Sequence, residues 1–134
     1  MVPTSVDPRH AADLREAGVA AALVALGWLV SAACLSVTFW LASLHTAFAV
    51  HGFALPVVLS LVALVYFRRE EAMPPLRAAL LFAVLALVLE VVLSRFLASR
   101  SYEPLTSAVG TWIPVLLVFF ATWLIGIGAH EPSR

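Results

Sequence analysis

The chain has little charge and no lysine. Of its 134 residues only 12% are charged, and all eight basic residues are arginines, balanced by eight acidic ones. A net charge of zero gives no sign of a nucleic-acid-binding surface. The single cysteine, Cys34, excludes an intrachain disulfide and metal or redox motifs of the CxxC type. The chain as a whole is 63% hydrophobic with a mean hydropathy of +1.02, a composition typical of membrane proteins and not of soluble domains.

The apolar residues divide into four segments, each near the length of about 20 residues that crosses a bilayer. The stretch from Ala17 to Phe67 contains no Asp, Glu, Lys or Arg and is too long for one crossing, so we expect a hairpin in its polar cluster between Ser43 and Gly52. The predicted parts are a short amphipathic helical segment within 1–18, spans at 19–42, 47–67, 76–98 and 107–129, and a tail at 130–134. The predicted fold is an all-α membrane protein, a four-transmembrane-helix bundle of two similar helix hairpins.

The arginines are unevenly distributed between the two ends of the predicted spans. One end has Arg9, Arg15, Arg68, Arg69, Arg77 and Arg134, and the other has Arg95 and Arg100. Short loops rich in Lys and Arg stay in the cytoplasm. We therefore expect a multi-pass protein of the bacterial inner membrane with cytoplasmic N and C termini.

The first span has an alternative interpretation as a processed export signal. Ser31-Ala32-Ala33-Cys34 is similar to a lipoprotein cleavage box, although that box has an aliphatic residue where Ser31 stands. The apolar run continues well past Cys34 and exceeds the 7–15 residues typical of a signal peptide. A retained transmembrane helix explains the same residues without processing.

Small and weakly polar residues recur every three or four positions in two of the predicted helices. In the first helix they are Ala20, Val24, Gly27, Ser31, Cys34, Thr38, Leu41 and His45, and in the fourth Gly110, Pro114, Leu117, Ala121, Leu124 and Gly128. Such residues let helix backbones approach closely in lipid, so both rows are predicted to face the bundle. Trp112, Phe119 and Trp123 lie on another face of the fourth helix, which predicts contact with lipid or a partner subunit.

The two hairpins share short motifs. Gly52-x-x-x-Pro56 in the first matches Gly110-x-x-x-Pro114 in the second. This match predicts a parallel repeat about an axis along the membrane normal.

Glu90 is the one acidic residue inside a predicted span. A charge near the bilayer centre costs at least about 2.5–3.5 kcal/mol on insertion scales, so such a residue is expected to face the protein interior. Ser94, on the same helix face, and residues of the other spans at similar depth complete a candidate intramembrane polar site: Glu90, Cys34, Thr38, His51, Ser94, Thr111 and Pro114. Pro114 lacks an N–H, which leaves the Gly110 carbonyl able to accept a hydrogen bond from a protonated Glu90.

Two interpretations of Glu90 remain open. It is either a proton or cation site, with His51 as a second titrating group, or a neutral donor in an interhelical hydrogen bond. A metal or haem pair of His45 and His51 is disfavoured, because residues six apart on a helix project about 240° apart. The sequence predicts no metal site and no cofactor.

The last hairpin resembles a family of proteins. The residues that carry the likeness are Leu89-Glu90, Tyr102, Gly110-Thr111-Trp112-Ile113-Pro114, Phe119-Phe120-Ala121-Thr122 and Gly126, with Tyr66-Phe67-Arg68 at the end of the second helix. In these segments the chain is similar to uncharacterised bacterial four-helix integral membrane proteins of unknown function. The first helix matches only in apolar length. The resemblance implies the same topology and an acidic residue late in the third helix, and it implies no catalytic role.

The leading functional prediction is a non-enzymatic membrane component that acts by packing or assembly, or as an accessory to other proteins. Its expected partners are the lipid bilayer and either a second copy or other membrane proteins, and not nucleic acid. The alternative is a subunit of a proton-coupled small-solute transporter or channel that uses Glu90. An enzyme is the third hypothesis, disfavoured because the sequence has no Ser-His-Asp set, HExxH helix or phosphate-binding loop.

Overall fold

The computed structural model describes residues 8–98 and 111–130. This part of the chain is helical, with α1 at Pro8–Leu41, α2 at Leu44–Phe67, α3 at Pro75–Ala98 and α4 at Ile113–His130. Each of these helices is long and apolar enough to cross a membrane. They form two packed pairs, α1 with α2 and α3 with α4, which confirms the predicted four-helix membrane bundle.

Helix α1 begins at Pro8 and continues for 34 residues without a break. Proline suits the first turn of a helix, because an N–H is not needed there. At 1.5 Å per residue the helix is about 50 Å long, against about 30 Å for a hydrocarbon core. The segment predicted within 1–18 is thus continuous with the first predicted span, and its turns extend beyond the apolar part of the helix.

The turn between α1 and α2 consists of Ala42 and Ser43. The Ser43 hydroxyl accepts a hydrogen bond of 3.3 Å from the backbone N–H of Thr46 and so caps the start of α2. The chain therefore reverses at the beginning of the predicted polar cluster. His45 and His51 both lie within α2.

The helices form a ring in which α2 and α3 face each other across the interior. Helix α1 packs against α2 and α3, and α4 packs against the same two helices. A two-fold axis along the membrane normal would instead set α1 opposite α3, so the predicted repeat axis is wrong. The physical reason is that side chains of α2 and α3 meet in the interior, as Tyr66 and Phe82 do with ring centroids 5.9 Å apart.

Small residues set the distance between the helices. Gly27 of α1 lies so close to α2 that an added Cβ would be 2.8 Å from Val62 and 2.9 Å from Leu59. At the other side of the bundle, a Cβ on Gly126 would lie 2.7 Å from the Phe67 ring and 2.8 Å from Pro75 Cβ. Close approach replaces the missing hydrophobic driving force between helices in lipid.

The buried face of α4 differs from the predicted one. Its buried residues are Pro114, Val115, Val118, Thr122 and Gly126. Leu117, Leu124 and Gly128 are exposed, and Ala121 is half-buried, so the predicted row of small residues was wrong from Leu117 onward. The helix is rotated because Gly126, not Gly128, provides the space that Phe67 and Pro75 occupy. Phe119 and Trp123 are half-buried, and Trp112 is exposed.

One end of the bundle is held by polar contacts to the turn between α2 and α3. The Arg15 guanidinium lies 3.3 Å from the Glu71 carboxylate, and Arg69 lies 3.2 Å from Glu16. The Tyr66 hydroxyl accepts a hydrogen bond of 2.9 Å from the backbone N–H of Met73. These contacts attach the start of α1 to the turn that joins the two hairpins.

Candidate functional site

Glu90 is buried in the bundle, as predicted. Only 4% of its surface is exposed. It is the last of four buried α3 residues at intervals of four, after Ala78, Phe82 and Ala86. This spacing makes one continuous face of a helix, and the two alanines let neighbouring helices come close.

The Glu90 carboxyl has two hydrogen-bond partners from other helices. The indole Nε1–H of Trp28 in α1 donates to Glu90 Oε1 over 3.0 Å. His51 of α2 places its Nε2 2.9 Å from the same oxygen. One carboxyl oxygen therefore joins α1, α2 and α3.

His51 is in turn positioned by Ser31. The imidazole is 4% exposed, and its Nδ1 lies 3.0 Å from the Ser31 hydroxyl oxygen and 3.3 Å from the Ser31 carbonyl oxygen. Ser31 itself is fully buried on α1. We call Trp28, Ser31, His51 and Glu90 the polar network.

The contacts restrict where the protons of the network can be. The Ser31 hydroxyl can donate to His51 Nδ1 or accept from it, whereas the Ser31 carbonyl can only accept from it. At 2.9 Å, one hydrogen lies between His51 Nε2 and Glu90 Oε1, on either of the two atoms. The arrangement can therefore hold one proton between α2 and α3.

Ser31, His51 and Glu90 have the composition of a hydrolase triad but not its geometry. In such a triad the serine faces the imidazole Nε2 and the acid faces Nδ1. Here the two nitrogens are exchanged, and Ser31 has no exposed surface that a substrate could reach. The network is not the active site of a serine hydrolase.

The other predicted site residues are placed differently. Cys34 and Thr38 are half-buried, and the Thr38 hydroxyl donates to the Cys34 carbonyl within α1 over 2.8 Å. Thr111 is half-buried just before α4, and Pro114 is buried near Gly52, where a Cβ would lie 3.9 Å from the proline Cγ. The predicted bond to the Gly110 carbonyl and the side chain of Ser94 lie outside the described residues. The structure thus brings together Glu90 and His51 from the predicted set.

Trp28 and Ser31 belong to the network but not to the predicted site. Ser31 was predicted only as part of the packing row of α1, and Trp28 was not predicted at all. The position of Trp28 could have indicated a polar contact. Tryptophan in transmembrane helices is enriched at the membrane–water interfaces, whereas Trp28 lies well inside the apolar run. Trp28 and Ser31, three residues apart, also lie on neighbouring positions of one helix face.

Among the described residues, no three His, Cys, Asp or Glu side chains are grouped so that they could hold a metal ion. No protein-family model matches the chain, and neither a curated protein nor a solved structure is significantly similar to it. The resemblance to bacterial four-helix membrane proteins therefore stays a prediction.

Proposed function

We propose that this protein is a non-enzymatic membrane component that acts through packing and assembly. In this proposal the polar network fixes the positions of α1, α2 and α3 relative to one another. The observation that carries the proposal is the position of Glu90, whose Oε1 joins three helices while 4% of the residue is exposed. A group this enclosed, with its donors supplied by the protein, is suited to fixing helix positions. In lipid, such bonds select one arrangement among several that apolar packing would allow.

The proposed location is the bacterial inner membrane, with both termini in the cytoplasm. Arg9, Arg15 and Arg77 lie at the same end of the bundle as the turn between α2 and α3, which carries Arg68 and Arg69. This clustering supports the proposed orientation, because short arginine-rich segments stay in the cytoplasm.

The proposed partners are lipid and either a second copy of the chain or other membrane proteins. The outer faces of the helices support this, since they expose large apolar side chains such as Trp40 (86%) and Phe53 (77%). In a bilayer these faces meet acyl chains or a neighbouring subunit.

A second candidate function is a proton-coupled transporter or channel subunit. The observation in its favour is the 2.9 Å contact between His51 Nε2 and Glu90 Oε1, two titratable groups enclosed in the bundle. Intramembrane ionisable residues are enriched on proton and ion pathways. Here Glu90 would be the coupling residue and His51 its proton partner.

Proton flux separates the two functions. The purified chain is reconstituted in liposomes that contain a pH-sensitive dye, and a pH gradient is imposed with valinomycin present to balance charge. The packing role predicts the same flux as in protein-free liposomes for the wild type, for Glu90→Gln and for Glu70→Gln, an exposed control in the turn between α2 and α3. Flux in the wild type and Glu70→Gln that is lost in folded Glu90→Gln would overturn the proposal in favour of transport.

A further inference from the structure

A cleft lies at the arginine-rich end of the bundle. Its volume is about 420 Å³, and it is formed by the first turns of α1, the turn between α2 and α3, and the first turn of α3. This is within the range of small-molecule sites, about 300–1,000 Å³. Its charged lining residues are Asp13, Arg15, Glu16, Glu71 and Arg77.

In the described part of the chain, two of these charged residues take no part in an ion pair. Arg15 pairs with Glu71, and Glu16 pairs with Arg69. Asp13 and Arg77 have no ion pair within 4.0 Å among residues 8–98 and 111–130. The cleft therefore presents one carboxylate and one guanidinium of opposite charge.

Glu16 adds a buried acceptor to the cleft. Its side chain is 9% exposed, and Oε1 receives the hydrogen bond from Arg69. Its second oxygen, Oε2, is buried and has no hydrogen-bond partner in the described part of the chain. The negative charge of Glu16 favours a cation in the cleft, although no ligand atom contacts the enclosed Oε2 itself.

The cleft lies where the charged part of the chain meets its apolar part. Glu16 directly precedes the stretch 17–67, which contains no charged residue, and Arg77 is the last charged residue of α3 before Glu90. In a membrane this depth corresponds to the phospholipid headgroups.

From these features we propose that the cleft binds a phosphoethanolamine group. Its primary ammonium donates to the Asp13 carboxylate, close to the negative charge of Glu16, and its phosphate pairs with Arg77. The depth of the cleft identifies a phosphatidylethanolamine headgroup as the source. A choline headgroup has a quaternary ammonium with no N–H, so it cannot supply the donor. The proposal does not depend on whether Glu90 carries protons.

The test compares two lipids that differ in this donor. The full-length chain is purified in detergent, and its thermal unfolding and lipid retention in native mass spectrometry are measured with phosphatidylethanolamine or phosphatidylcholine of identical acyl chains. Soluble O-phosphoethanolamine, added without phospholipid, forms a third arm. We expect retention of phosphatidylethanolamine at least about ten-fold stronger than that of phosphatidylcholine, equivalent to one charge-assisted hydrogen bond.

Variants locate the site. Glu16→Gln should weaken the preference, because it removes a negative charge beside the ammonium, but it also weakens the contact with Arg69 and could destabilise the fold. Asp13→Asn and Arg77→Gln change exposed residues of the cleft and should lose the preference with the fold intact. Arg68→Gln, exposed at the same end and outside the cleft lining, should keep it.

The outcomes decide between lipid, soluble ligand and no site. Preference for phosphatidylethanolamine that Asp13→Asn and Arg77→Gln remove supports the proposal. Stabilisation by soluble O-phosphoethanolamine equal to that by the lipid supports the chemistry of the site but overturns the lipid as its source. Equal retention of both lipids, or a preference that survives in both variants, overturns the proposal.

Discussion

The two hydrogen-bond partners of Glu90 differ in how readily they could be predicted from the sequence. His51 is polar and lies at a depth that fits Glu90, so it was predicted as a partner. Trp28 was treated as one of the apolar residues of α1. Whether its indole N–H reaches Glu90 depends on how α1 is rotated about its own axis. Periodicity gives that rotation to within one or two side chains, which is too coarse to assign a hydrogen bond.

Trp28→Phe removes one hydrogen bond and also shortens a side chain that packs against the core. We expect a loss of at least about 0.5–1.5 kcal/mol in the free energy of unfolding, the usual contribution of one hydrogen bond in water or in a membrane, with the lost packing in addition. The measurement is equilibrium unfolding in mixed micelles with increasing denaturing detergent. Trp40→Phe is the matched control, because Trp40 is 86% exposed and should change the stability little. Equal effects of the two variants would contradict the hydrogen bond.

His51 and Glu90 should be coupled. His51→Phe removes the proton partner of a buried carboxyl, and breaking such a buried pair costs about 3–5 kcal/mol when one partner stays charged. Glu90→Leu leaves the indole of Trp28 and the imidazole of His51 without their acceptor. The double variant His51→Phe, Glu90→Leu removes both titratable groups, so we expect it to lose less stability than the sum of the single variants. Additive losses in the same unfolding assay would show that the pair does not act as a unit.

At the scale of the helix, the position of the interhelical contacts depends on individual glycines. The number and approximate positions of the helices could be predicted from apolar length, but α1 begins at Pro8 and not at 19, and α2 begins at Leu44 and not at 47. The start of α2 follows the cap formed by Ser43. The buried face of α4 could not be predicted, since the helix offers two glycines, Gly126 and Gly128, on different faces. Only the shapes of Phe67 and Pro75 decide between them.

Gly126→Ala and Gly128→Ala test this choice. A methyl group on Gly126 would lie 2.7 Å from the Phe67 ring and 2.8 Å from Pro75 Cβ, and the proline ring cannot move independently of the backbone. We expect Gly126→Ala to cost about 1–3 kcal/mol, as overpacking usually does. Gly128→Ala meets no atom within 4 Å and should be neutral or slightly stabilising. The reverse order of stabilities in thermal unfolding would place the other face of α4 inward.

At the scale of the whole molecule, the number of crossings follows from composition, but the arrangement of the helices does not. Apolar segments of sufficient length specify how many helices cross. The ring order is set by side-chain contacts between residues far apart in sequence, such as Tyr66 with Phe82 and His51 with Glu90, which no local pattern contains. The repeat axis was therefore predicted wrongly even though both hairpins were predicted.

The proposed orientation can be tested with single cysteines. In a Cys34→Ala background, Ala42→Cys lies in the exposed turn between α1 and α2, and Glu70→Cys lies in the exposed turn between α2 and α3. With cytoplasmic termini, a membrane-impermeant maleimide should label Ala42→Cys on the outer face of spheroplasts. Glu70→Cys should react only after the inner membrane is permeabilised. The opposite labelling pattern would reverse the orientation.

The division of the polar network between the hairpins has a consequence for biogenesis. Trp28, Ser31 and His51 belong to the N-terminal hairpin, and Glu90 arrives with α3. The two partners of Glu90, Trp28 and His51, and the serine that positions His51 therefore reach the membrane before Glu90 does. The hydrogen-bonding groups of the first hairpin would then lower the free-energy barrier for Glu90 to move from the translocon into the membrane.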